Sequence, residues 1–278
     1  MSDLSYVDSV ILGIVEGLTE FLPVSSTGHL TIAEKLLGLQ VDDPAVTSYT
    51  AVVQLGAIVA TLLYFWRDIS RLFVAWTSGL RDSGRRTDPD YRLAWFVIAG
   101  SIPVAVAGLA FRNLITGPLR SLWVVAAALI AWSAVMWLSE QRATQDRGER
   151  DLTLRDVLFI GFIQCFSLVP GVSRSGATIS AGLLCGLDRV TATRLSFFLA
   201  IPALTAAGLY QLKDVDTAVV GYGQIAVGIV VSFVVAYASI AWLLKLVQGH
   251  PITVFVYYRV ALGLVLFVAL GTGALSAT

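Results

Sequence analysis

The chain has 278 residues, of which 56% are hydrophobic and only 14% charged, and its mean hydropathy is +0.78. Soluble domains carry about 25% charged residues, so this composition excludes an ordinary water-soluble domain and points to an all-α polytopic membrane protein. Lysine plus arginine and aspartate plus glutamate are both 19, a balance that by itself names no partner.

The N-terminal MSDLSYVDSV lacks a basic stretch and a small-residue cleavage site, so no cleaved signal peptide is expected. The first element is two apolar pieces, 7–22 and 29–39, broken around Pro23 and Gly28. Neither is long enough to cross a bilayer core of about 30 Å comfortably, and a re-entrant hairpin over 7–39 is the better reading. A break at membrane depth is tolerated only where protein or water surrounds it. This stretch, EGLTEFLPVSSTGHL at 16–30, also holds Glu16, Glu20 and His29.

Three apolar runs follow, at 45–66, 92–112 and 120–139. Between the first two lie Arg67, Arg71, Arg81, Arg85, Arg86 and Arg92. After the third come Arg142, Arg147, Arg150 and Arg155. The opposite connections are poorer: Arg112 and Arg120 flank one, and the other has Lys213 with Asp214 and Asp216. The positive-inside rule makes the two Arg-rich loops cytoplasmic and puts both termini outside. Their arginines are interspersed with acidic residues, which favours this topogenic role over nucleic-acid or anionic-lipid binding. A second broken element covers 155–187, and three more spans follow at 190–211, 222–247 and 253–274. Cys165 and Cys185 lie in apolar segments without metal-type spacing, and no disulfide is expected.

A shift of 148 lays residues 12–39 over 160–187 with eight identities: Gly13/Gly161, Val24/Val172, Ser25/Ser173, Gly28/Gly176, Ala33/Ala181, Leu36/Leu184, Gly38/Gly186 and Leu39/Leu187. Thr27/Ser175 is a close match. Each copy precedes three spans, so the chain divides into repeats 1–139 and 140–278. The odd span count inverts the second relative to the first. Inverted repeats place their site near the midplane, where the copies meet. The piece after each break starts at a Ser/Thr-Gly sequence suited to a helix N-terminus. Two such starts facing one another aim N–H groups and positive dipole ends at one point, a phosphate-type site. Its candidate lining is Ser25, Ser26, Thr27 and Gly28 with Ser173, Arg174, Ser175 and Gly176.

Glu16 and Glu20 share a helix face at i, i+4. Intramembrane carboxylates are costly and mark function. Such a pair suits a divalent cation held with phosphate oxygens, or one member suits a general base. Arg174 matches Ser26 in the repeat, and its planar fork binds phosphate. His29 suits acid–base work. Ser25 and Ser26 suit N-caps, and either suits a nucleophile if His29 or Glu20 activates it; the residues leave this open. Gln54, Ile102-Pro103 and Ile201-Pro202 are read as structural. Arg189, Arg194 and Arg259 are read as snorkelling anchors near span ends.

EGLTEFLPVSSTGHL and PGVSRSGATIS resemble the two signature regions of the bacterial undecaprenyl-diphosphate phosphatases of the bacitracin-resistance type. The resemblance runs along the whole chain, including SFFLAIPAL at 196–204. It implies hydrolysis of undecaprenyl diphosphate to undecaprenyl phosphate and inorganic phosphate in the bacterial plasma membrane, supporting cell-wall synthesis. It implies roles for Glu16, Glu20, Ser26, His29 and Arg174, and a requirement for Mg²⁺ or Ca²⁺. On this reading Arg174 holds the diphosphate, Glu16 and Glu20 hold the cation, Ser26 attacks and His29 handles protons. Water activated by His29 or Glu20 is the alternative to Ser26. A homodimer and a flipping activity stay open. A rival reading is a transporter or flippase of a lipid phosphate or other anion, which needs the same helix N-termini and arginine but not the glutamate pair.

Overall fold

The computed structural model describes residues 4–40, 43–211 and 221–277, and among these the chain is helical with no strand. The outer connection expected to hold Lys213, Asp214 and Asp216 lies outside them.

Most of the described helices start where short polar side chains cap them. α1 (Tyr6–Thr19) opens with a Ser5/Asp8 capping box and α2 (Ser26–Leu36) with Ser25. α3 (Pro44–Tyr64) and α5 (Pro89–Ala110) each begin with an aspartate cap, Asp43 and Asp88, followed by proline at the first helical position. α4 (Trp66–Arg81) lies between them, α6 (Arg112–Thr116) is one short turn, and α7 (Leu122–Arg142) starts at Ser121. In the second half α8 (Leu154–Gln164) has a Thr153/Asp156 capping box and α9 (Arg174–Leu184) is capped by Ser173. α10 (Arg189–Gln211), α11 (Tyr222–Gly249) and α12 (Thr253–Gly271) complete the chain. Six helices, α3, α5, α7, α10, α11 and α12, are long and apolar enough to cross a membrane, within a few residues of the six expected runs. Pro103 and Pro202 sit inside α5 and α10.

The packing is reciprocal between the halves. α1 lies on α11, which lies on α3; α8 lies on α5, which lies on α10. α7 packs on both α12 and α9. Glycines make the crossings close. A Cβ on Gly13 would stand 2.9 Å from the Gly228 carbonyl oxygen, and one on Gly161 would stand closer still to that of Gly100. Small residues at a helix crossing are how membrane helices gain packing without a hydrophobic driving force. The same backbone also recurs 148 positions on: Ser25 and Ser173 have φ of 80° and 77°, and Gly38 and Gly186 have 74° and 82°.

The Arg-rich connections are more ordered than the loops expected from sequence. Residues 66–81 form α4, whose Leu72 and Gly79 are buried while Trp66 and Phe73 are exposed. Arg71 meets Asp90 at 3.5 Å and Glu149 at 3.4 Å, which joins the 67–92 and 140–155 connections on one side of the molecule. Arg147 is also structural: it donates to Asp156 at 2.6 Å and to the Cys185 carbonyl at 2.6 Å.

Candidate active site

α1 ends at the acidic pair. Glu16 is fully buried and Glu20, four residues on, closes the helix by donating its N–H to the Glu16 carbonyl at 2.9 Å. The turn 21–24 then reverses the chain into α2. The second hairpin does the same between α8 and α9.

The two breaks touch. Ser25 Oγ accepts from Gly28 N–H at 3.3 Å, as a cap does, and from Gly171 N–H of the other hairpin at 3.0 Å. Ser175 Oγ donates to the Leu22 carbonyl at 3.0 Å, and Ser173 Oγ accepts from Gly176 N–H at 3.1 Å. Thus Ser25, Ser173 and Ser175, expected to line a phosphate site, engage their hydroxyls in holding the breaks. Gly28 and Gly176 give their N–H groups to the caps. Positive φ in a non-glycine residue costs on the order of 1–3 kcal/mol, and Ser25 and Ser173 bear that strain because caps and cross-bonds fix them.

Arg259 is the largest correction. Instead of reaching toward a span end it is fully buried. Its guanidinium donates to the Pro23 carbonyl at 3.1 Å, the Gly171 carbonyl at 2.8 Å, the Leu129 carbonyl at 3.4 Å and Ser133 Oγ at 3.1 Å. A buried charge is tolerated when its hydrogen-bonding groups are satisfied, and here one arginine satisfies carbonyls that both helix breaks leave unpaired. Arg189 and Arg194 are also paired rather than free anchors. Arg189 Nε binds Glu140 at 2.6 Å, and Arg194 binds Asp68 at 2.9 Å over the Phe65 and Phe198 rings.

On this scaffold Glu20 is the hub. Its Oε2 accepts from Ser26 Oγ at 2.7 Å and from Gln54 Nε2 at 3.1 Å, and its Oε1 accepts from Arg174 at 3.3 Å. Gln54, read from sequence as structural, therefore belongs to the site. Arg174 also donates to the Ser196 carbonyl at 2.9 Å, while its Nε is buried with no protein partner. Thr178 bonds Ser196 Oγ at 2.7 Å, which helps hold that wall. Thr27 is exposed and Ser26 partly so.

His29 does not pair with Ser26. Its Nδ1 lies 2.7 Å from the Ser25 carbonyl oxygen and its Nε2 lies 2.6 Å from Tyr258 Oη. Tyr258 carries no signal in a single sequence. Two other missed residues did carry one. Arg259 stands six residues inside its expected span, about 9 Å along a helix, and Gln54 nine residues inside, about 14 Å, too deep for an end anchor.

Both oxygens of Glu16 are buried without a hydrogen-bond partner. An unpaired carboxylate beside a second carboxylate fits a divalent cation, which takes one or two carboxylates plus phosphate oxygens and water. Among the described residues no further His, Cys, Asp or Glu joins the two, so the other positions would fall to substrate and water.

Residues 9–265 match the family described as bacitracin resistance protein BacA. This chain belongs to the BacA family. Full-length relatives of this BacA-family chain include a protein of Frankia alni named undecaprenyl-diphosphatase 1, 57% identical over 278 residues and covering 100% of both chains. A protein of the same name in Streptomyces coelicolor is 56% identical over 276 residues, 99% of each chain. A Mycobacterium sp. (strain KMS) protein named undecaprenyl-diphosphatase is 49% identical over 280 residues, covering 99% of this chain and all of that one.

Proposed function

We propose that this chain hydrolyses undecaprenyl diphosphate to undecaprenyl phosphate and inorganic phosphate within the bacterial plasma membrane, recycling the lipid carrier of cell-wall synthesis and conferring bacitracin resistance. The observation that carries the reading is the Ser26–Glu20–Arg174 cluster: a hydroxyl, a base and a phosphate-binding cation in contact where the two hairpins meet. The relatives' names agree with it.

Arg174 uses its unpaired Nε–H and its fork to hold the terminal phosphate, with the first-turn N–H groups of α2 beside it. Ser26 Oγ attacks that phosphorus as its proton passes to Glu20 Oε2, the acceptor already in contact. The bridging P–O bond breaks and undecaprenyl phosphate leaves with the bond's electron pair. Water then attacks the phosphoserine, giving one proton to the departing Ser26 oxygen, and Glu20 releases the one it took. Gln54 and Arg174 keep Glu20 oriented throughout. Glu16 and Glu20 would hold Mg²⁺ or Ca²⁺, whose contribution when bound is to neutralise charge on the diphosphate oxygens.

Purified protein in detergent, where no gradient exists to drive transport, should release inorganic phosphate from undecaprenyl diphosphate. Ser26→Ala should lower that rate by several orders of magnitude, as loss of a nucleophile does. A Ser26→Ala enzyme of near-normal rate would replace the serine with an activated water. No release by the wild-type protein would reject the phosphatase in favour of a carrier.

A further inference from the structure

The chain has two histidines, His29 and His250, and only His29 stands at the site. A carbonyl has no hydrogen to give, so the 2.7 Å contact to the Ser25 oxygen requires the proton on Nδ1. Nε2 then meets the Tyr258 hydroxyl at 2.6 Å, and in the neutral ring the phenol is the donor. The two rings are stacked, centroids 5.6 Å apart and 14° from parallel. Ser25 is itself fixed, because its hydroxyl is held from both hairpins. The imidazole is thus clamped at one nitrogen by α2 and at the other by α12, 229 positions along the chain. Ser26 meanwhile donates to Glu20 at 2.7 Å.

We propose that Tyr258 is a positioning residue which, with the Ser25 carbonyl, locks His29 as the neutral Nδ1–H tautomer and turns its Nε2 lone pair toward α12. Labour is thereby divided in the site: Glu20 serves the Ser26 hydroxyl, and His29 serves whatever approaches from the Tyr258 side, where the phenol is 48% exposed. Which proton of the reaction His29 handles rests on the phosphatase reading. The clamp itself does not.

The test reads the ring nitrogens directly. With ¹⁵N-histidine in the full chain and His250→Asn, every histidine signal comes from His29. At neutral pH the spectrum should show one protonated nitrogen, Nδ1, and one bearing a lone pair, Nε2. Tyr258→Phe, which keeps the stacked ring and removes only the hydroxyl, frees the imidazole to turn away from the Ser25 carbonyl and should give a mixture of tautomers. A predominant Nε2–H tautomer, two protonated nitrogens in the wild type, or an unchanged spectrum in Tyr258→Phe would overturn the proposal.

Kinetics separate positioning from direct action. Tyr258→Phe should lower kcat about tenfold, the weight of one hydrogen bond, with KM unchanged. Added to His29→Asn, it should cost nothing further. An equal second loss would mean that Tyr258 acts on substrate itself and would overturn the positioning role. If the wild-type protein releases no phosphate, the phosphatase reading falls while the nitrogen spectra still decide the clamp.

Discussion

At the scale of single residues, the site is organised by what each polar group must do to be buried. Glu20 is satisfied three times over by Ser26, Gln54 and Arg174. Glu16, four residues earlier, has no hydrogen-bond partner for either oxygen. A group so expensive to bury without a partner points to function rather than stability. Glu16→Gln replaces a buried charge by a neutral amide, which is cheaper to bury, so the variant should fold at least as well as wild type by thermal unfolding in detergent while its turnover falls about 100-fold or more, the scale of losing a cation ligand. A chelator should abolish wild-type phosphate release and added Mg²⁺ or Ca²⁺ restore it. A Glu16→Gln protein with full, chelator-sensitive activity would remove Glu16 from the cation site. The repeat mate of Glu16 is Gln164, also buried and also without a hydrogen-bond partner for its side chain.

At the scale of elements, each hairpin is seated against a span of the other half through glycine. Gly161 of α8 meets the Gly100 carbonyl of α5 so closely that a methyl group has no room. Gly161→Ala forces the two backbones apart, and a destabilisation of about 1–3 kcal/mol is expected, the usual cost of overpacking. Gly108, further along α5, is the control: its nearest neighbour to an added Cβ is Leu168 at 3.8 Å. Gly108→Ala should therefore be neutral, or stabilising by up to about 1 kcal/mol from helix propensity. Thermal midpoints of the two variants in the same detergent check both; equal midpoints would mean that the crossing relaxes freely. The helix boundaries themselves follow from local chemistry, since an aspartate cap followed by proline at the first helical position, as at Asp43-Pro44 and Asp88-Pro89, favours a helix start.

At the scale of the whole molecule, two Arg-rich connections lie on one side, tied by Arg71, Glu149 and Arg194. By the positive-inside rule we propose that this side is cytoplasmic. On that proposal α3 would run inward from its start at Pro44, the α1–α2 hairpin would enter from outside and the site would open outward. Ser25 is too buried to report on this, but Thr27, one residue past Ser26, is exposed. With Cys165 and Cys185 replaced, Thr27→Cys should react with a membrane-impermeant thiol reagent added to intact cells. Labelling that appears only when the cytoplasmic face is opened would reverse the orientation.

The spans, the broken elements at 7–39 and 155–187, and the presence of Glu16, Glu20, Ser26 and Arg174 at the breaks could be read from the chain alone. Apolar length and intramembrane charge are local properties, visible wherever they occur. The depth of Arg259 in its span argued against an anchor, but its partners could not be named until the fold brought it against the carbonyls of Pro23 and Gly171. Which of Ser25 and Ser26 caps α2 and which faces Glu20 was likewise not readable from the residues, as both are serines at a helix start. Only the approach of Gly171 to one and the turn of Glu20 onto the other separated them. α4 was hidden by its own arginines, and Tyr258 by 229 positions of chain. Sequence determined which groups the membrane must accommodate; which of them meet was decided by helix packing, since a hydrogen bond depends on distance in space and not along the chain.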